Sequence, residues 1–221
     1  MNPEQSVYQT IYDSWEPGQY GSSNHGHQHL DKILELTPKS LLDVGCGYNH
    51  FSNHLKNLNI KSEGVDFACP GADKIADILD LPYEDKEWEW ITAWDVMEHL
   101  LPDQVDLALQ EMLRVSEYFA FTISYNLAST VAPQPFHKHN LHQTIWTSEK
   151  WREKIEKYGK IDGLVNNAAN NPKVEKNSEK NFSRLEYFPL DTWNQDVAVG
   201  LTGAFLCAKH YGYRISKNSN G

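Results

Sequence analysis

Ser40-Leu41-Leu42-Asp43-Val44-Gly45-Cys46-Gly47 decides the fold of this chain. The five residues to Val44 form a compact apolar run that breaks at two glycines, and Phe51, Leu55 and Leu58 then recur at helical period. The pattern predicts a strand, a glycine turn and a helix. Glycine at such a turn takes positive φ without steric penalty and lets the backbone approach a ligand closely. In open α/β sheets this corner, at the carboxyl end of a strand, is where ligands bind.

The same alternation continues outward. Strands are expected near Glu63 to Phe67, Ala76 to Leu79 and Trp88 to Met97, and a buried one at Tyr118 to Ile123. A helix is expected from Pro102 to about Val115, with Val105, Ala108, Leu109, Met112 and Leu113 on one face. Thr147 or Ser148 caps another, which carries Trp151, Ile155 and Tyr158 on one side. Ahead of β-rich residue 40, two short helices around Glu4 to Asp13 and His29 to Leu36 flank a turn-rich stretch, and residues 1–38 read as a helical cap. Strands alternating with helices imply an α/β fold, a doubly wound, mostly parallel Rossmann-like sheet. An atypical strand-loop-helix extension follows it: a strand Ile161 to Val165, a polar stretch to Arg184 and a helix from about Leu190 to Ile215.

With 40% hydrophobic and 23% charged side chains in 221 residues, the chain is able to bury a sizeable core. Its longest apolar runs fall far short of the roughly 18 residues of a spanning helix, so no membrane partner is expected. Up to Gly159 there are 24 acidic against 12 basic residues, and beyond it 6 against 8. An acidic body without a basic stripe repels a phosphate backbone, which argues against nucleic acid. Three cysteines cannot all pair, and the opening MNPEQSVYQTIYDSW lacks a basic segment followed by an apolar one, so a cytoplasmic location is expected. Oligomeric state has no readable signal.

About twenty residues past the glycine turn, Gly64-Val65-Asp66 sets a carboxylate at a strand end, where it can accept hydrogen bonds from a ribose diol. Taken with Asp43-Val44-Gly45-Cys46-Gly47, with Asp77-Ile78-Leu79-Asp80-Leu81-Pro82-Tyr83 and with Ala93-Trp94-Asp95-Val96-Met97-Glu98-His99-Leu100, this order of motifs resembles a class I S-adenosylmethionine-dependent methyltransferase. The resemblance implies S-adenosylmethionine as cofactor, with Gly45, Cys46 and Gly47 around its methionine part and Asp66 at the ribose. It places Asp77 and Ile78 at the adenine and Trp94, Asp95 and Val96 beside the sulfonium, and counts Asp43 and Phe67 among the cofactor-binding residues. Where that family often carries a third glycine, Tyr48-Asn49 stand here, and Asn is among the residues that best tolerate left-handed angles.

Methyl transfer needs donor and acceptor aligned and, for a hydroxyl acceptor, a base. Glu98 and His99, just past the fourth strand, are the catalytic candidates, His99 first because imidazole titrates near neutrality. Equally, Glu98 caps or pairs and His99 packs under the next helix. His137, His139 and His142, in the loop after the fifth strand, are expected to face the acceptor. Their spacing lacks an accompanying cysteine or carboxylate, so no metal site is expected. His25 and His29 share one helical face, and Tyr20 with Gly21 is placed to close over the cofactor.

From Ile161-Asp162-Gly163-Leu164-Val165-Asn166-Asn167-Ala168-Ala169 onward, the chain is similar to the middle of a short-chain dehydrogenase/reductase. No glycine fingerprint precedes it, Tyr213 and Lys217 come too early for the catalytic pair, and Gly200 stands where that family has its asparagine. The expectation is a methyltransferase domain over 1–159 joined, as in a chimera, to a reductase-like fragment over 160–221. The expected function is methyl transfer to a small-molecule acceptor of undetermined atom type. The alternatives are a degenerate cofactor-binding module and a nicotinamide-binding remnant.

Overall fold

The computed structural model describes residues 3–15, 20, 25–124, 132–138 and 140–158. The chain divides into two units, Met1–Tyr158 and Gly159–Gly221, and every described residue belongs to the first. The expected strand at Ile161 to Val165 and helix from Leu190 lie outside the described residues.

Helix α1 (Pro3–Ser14) is followed by a 3₁₀ turn (His25–His29) that runs into α2 (Leu30–Glu35). Then come β1 (Ser40–Val44), α3 (His50–Asn57), β2 (Lys61–Asp66), β3 (Lys74–Ile75) and β4 (Trp88–Trp94). Helix α4 (Val105–Val115), β5 (Ser116–Thr122) and α5 (Ser148–Glu156) complete the described part. The sheet is parallel throughout in the order β3-β2-β1-β4-β5.

Period-two alternation on β1 sorts the two helical layers. Leu41 packs with Ile33, Phe51 and Leu55 on one face, while Leu42 and Val44 join Ile91, Ala93, Leu109, Met112 and Trp151 on the other. Helix α4 buries Val105, Ala108, Leu109 and Met112 as its sequence period requires, with Val115 in addition, whereas Leu113, expected on this face, is only half-buried. Thr147 caps α5, its hydroxyl oxygen accepting from the Lys150 backbone N–H.

Four elements differ from their expected form. The strand expected at Ala76 to Leu79 sits earlier, at Lys74–Ile75, because Asp77 turns the chain: its carboxylate accepts the Leu79 N–H at 3.0 Å. Strand β4 ends at Trp94 instead of Met97, since Asp95 takes φ +54° and Met97–His99 coil into a 3₁₀ turn. Helix α4 begins at Val105 and not at Pro102. Strand β5 is not fully buried; it ends the described sheet, and Tyr118 stays 48% exposed while stacking on Trp90.

Replacing wholly buried Leu109 by alanine should cost about 2–5 kcal/mol, whereas Leu107→Ala on the exposed side of the same helix should stay within about 0.5 kcal/mol. Urea unfolding of both variants checks this; equal losses would show that α4 does not bury the face described.

Candidate functional site

The strand order reverses at β1, whose neighbours β2 and β4 lie on opposite sides, so a crevice opens beyond the carboxyl ends of β1 and β4. The turn that floors it holds three left-handed residues, Gly45 (φ +70°), Gly47 (φ +53°) and Asn49 (φ +63°). Asn49 therefore does what the sequence asks of it. A Cβ on Gly45 would stand 2.4 Å from Val96 Cγ2, so the segment after β4 packs directly on this turn.

Asp66, at the end of β2, clips the corner shut. Its Oδ2 accepts from the Gly47 N–H at 3.0 Å, and its Oδ1 from Ala68 and Cys69 at 2.9 and 2.8 Å. Burial pushes its carboxyl upward and these backbone donors pull it back. A carboxylate offers about four acceptor positions, and backbone donors of Gly47, Ala68 and Cys69, with Phe67 beside them, engage this one. The left-handed turn presents backbone rather than side chains at this corner, which lets a ligand approach it closely.

The other expected cofactor residues fall around this corner with differing roles. Asp43 is buried and accepts from Thr92 Oγ1 at 2.6 Å; burial raises it to about 7. Cys46 is half-buried, its thiol pushed up by burial. Phe67 meets the Tyr8 ring edge-on and its carbonyl accepts from Gln5 Nε2, both on α1. Asp77 is half-buried and Ile78 lies in the core. Trp94 stacks on His29 with ring centroids 5.0 Å apart, on the α2–α3 side of the sheet. Asp95 accepts from Thr122 Oγ1 at 2.8 Å and stands 3.0 Å from His25 Nδ1.

Helix α1 lies across these loops. Its Val7 and Ile11 pack with Ala132 and Leu141, and its Tyr12 with Ala68 and Cys69. The Tyr8 hydroxyl reaches His99 Nδ1 at 2.7 Å. Tyr20 packs edge-on against Tyr12 and Trp15, joining the same cover; Gly21 lies outside the described residues.

Glu98 is wholly buried. Its Oε1 accepts from the Ser124 N–H at 2.9 Å, and its Oε2 is buried without a partner. Its backbone carbonyl accepts from both Gln143 and Thr144, at 2.8 and 2.9 Å, which staples the later loop to this turn. His142 is thereby brought edge-on to His99, with ring centroids 4.8 Å apart. His137 is exposed, and His139 lies outside the described residues. Burial pushes Glu98 up to about 8 and His99 down to about 4, His142 adding to the latter. Both groups are therefore mainly neutral at pH 7. The cluster of Glu98, His99 and His142 was not legible from loop spacing, because its carboxylate comes from the turn after β4.

The profile of a methyltransferase domain family matches residues 24–159. This chain belongs to that methyltransferase family. Its members draw their methyl group from S-adenosylmethionine. An S-adenosylmethionine-dependent methyltransferase from Archaeoglobus fulgidus has the same fold, with a TM-score of 0.52 and 18% identity over 78% of this chain and 86% of its own. A Pyrococcus horikoshii OT3 protein gives 0.39 and 18% over 50% of this chain and 65% of its own. Phosphoethanolamine N-methyltransferase 2 of Haemonchus contortus gives 0.46 and 14% over 72% and 42%. This methyltransferase chain thus spans less than two thirds of the length of the latter two. No curated protein sequence matches it. The family match ends at residue 159, and no comparison supports the reductase-like reading of residues 160–221. Among the described residues, no helix of this methyltransferase is long and apolar enough to cross a membrane.

Glu98 stays protonated in the fold up to about pH 8, whereas its ordinary value is 4.5. Between these values the unfolded chain holds fewer protons, so Glu98 lowers stability as pH rises, by at most about 1.4 kcal/mol per unit. Stability of Glu98→Gln relative to wild type should therefore climb from about pH 5 to pH 8 in urea titrations. A flat difference would mean that the carboxyl is ionised in place.

Proposed function

We propose that this methyltransferase transfers a methyl group from S-adenosylmethionine to a small-molecule acceptor held beneath α1. The observation that carries the reading is the left-handed Gly45–Gly47 turn clipped to Asp66 at the point where the strand order reverses. When bound, the cofactor supplies an electrophilic methyl group on a sulfonium. Gly45, Cys46 and Gly47 hold its methionine part, Asp66 with Phe67 the ribose, and Asp77 with Ile78 the adenine. Asp43 supports the turn from β1, while Trp94, Asp95 and Val96 form the wall beside the reacting group.

Transfer asks the protein mainly for alignment. Helix α1 supplies a cover that excludes water, with Tyr8 fixing the His99 ring. His99, neutral at physiological pH, keeps a lone pair able to take a proton from an acceptor, though a group titrating near 4 is a weak base. Glu98 is the second proton-holding group. In this reading His142, edge-on to His99, faces the acceptor together with His137 and His139 of the same loop.

The catalytic unit in this reading is residues 1–159 with 1–38 as its cap, and residues 160–221 are a reductase-like appendage without an activity of their own. Cys46 and Cys69 are both free thiols, which suits the reducing cytosol.

Calorimetric titration with S-adenosylhomocysteine, and separately with NADH, tests the proposal. Saturable binding of the first alone is expected. Asp66→Ala should weaken it by about 1.5–3 kcal/mol, roughly 10- to 150-fold. Affinity that ignored Asp66 would remove the ribose assignment, and binding of NADH alone would remove the methyltransferase reading.

A further inference from the structure

We propose that Glu98, His99 and His142 form a site for a divalent transition-metal ion, and that this ion holds an acceptor hydroxyl; the second part rests on the methyl-transfer reading above. One ligand atom from each of the three residues lies within 4.8 Å of the other two. Ligand bonds of about 2.0–2.2 Å to such an ion set these atoms somewhat closer together, a change that small side-chain rotations supply.

Three features mark a built site. The Oε2 atom of Glu98 is buried without a partner, and a fold seldom leaves a polar atom so placed without a reason such as a bound ion. The first-contact groups are themselves held from behind: Oε1 of Glu98 by the Ser124 N–H, and the His99 ring by the Leu141 backbone. The loop carrying His142 is fixed by the two backbone bonds from Gln143 and Thr144 to the Glu98 carbonyl.

The ion displaces the Glu98 proton to solvent, and two imidazoles with the resulting carboxylate favour zinc, cobalt, manganese or iron over magnesium and calcium. Three protein ligands leave coordination positions open, and both imidazoles keep some exposed surface. A hydroxyl bound there is acidified by the ion and gives its proton to solvent, so methyl transfer to it needs no side-chain base. Tyr8 gives way at His99 Nδ1 when the ion binds, linking the site to the cap.

Cobalt(II) alone, titrated into the full chain after chelator treatment, is the probe. One equivalent with visible d–d absorption is expected, weakened at least tenfold by His142→Ala and by the near-isosteric Glu98→Gln. The absorption should persist when His27, His50 and His54, which line a surface cavity of about 340 Å³, are changed together to alanine. Absence of the band, or a band that survives both site variants, overturns the site, and its loss in the surface triple variant would place the ion there instead. Thermal unfolding of each variant verifies that it is folded. S-adenosylhomocysteine binding measured on the same samples separates the two readings: binding of it without cobalt sinks the metal site alone. Cobalt binding without it upholds the metal site and sinks the hydroxyl role with the methyl-transfer reading.

Discussion

The Asp66 carboxylate is the constraint on which the ligand-facing edge depends. A single buried side chain accepts from the turn after β1 and from the loop after β2, so two segments that meet only at the sheet edge share one anchor. Burying a carboxylate is costly unless it is well hydrogen-bonded, and the three backbone donors meet that condition. The first of these donors comes from Gly47, which adopts a left-handed conformation and whose N–H points at Asp66. Strand β2 adds a further tie, since the Val65 carbonyl accepts from both Gly45 and Cys46.

The second half of the site is organised around Glu98 in the same way. Its carbonyl and its carboxyl each anchor backbone from later in the chain, Gln143 and Thr144 through the first and Ser124 through the second. A carboxyl group in so dry a place stays protonated at neutral pH, and its neighbour His99 stays unprotonated for the same reason. Left-handed Asp95 lies three residues earlier, and such backbone costs about 1–3 kcal/mol at a residue other than glycine. Its bonds to Thr122 and its closeness to His25 offset that cost. Strain, buried titratable groups and an orphaned carboxylate oxygen all gather within the turn after β4, as they do where a fold is arranged for chemistry.

The cap closes the arrangement from above. Helix α1 presents Val7 and Ile11 to the Leu141 side and its tyrosines to the loops after β2 and β4. Aromatic rings suit this position because each fills volume and carries a hydroxyl that can find a buried partner. Tyr8 does so at His99, so whatever enters that end of the site acts on α1 as well.

Much of this was legible in the sequence. Period-two and helical hydrophobic patterns set the alternation of strands and helices, and the glycine turn with Asp66 twenty residues on marked two segments that a hydrogen bond joins at the carboxyl edge of the sheet. Asn49 was readable as a left-handed residue from its type alone. Element ends were less readable: Asp77 and Asp95 ended or moved strands through side-chain bonds and a positive φ that hydropathy does not register. The meeting of Glu98 and His99 with His142 was decided by tertiary structure alone. Those residues lie more than forty positions apart, and what joins them is a pair of backbone hydrogen bonds to one carbonyl, a contact that leaves no period or motif in the chain.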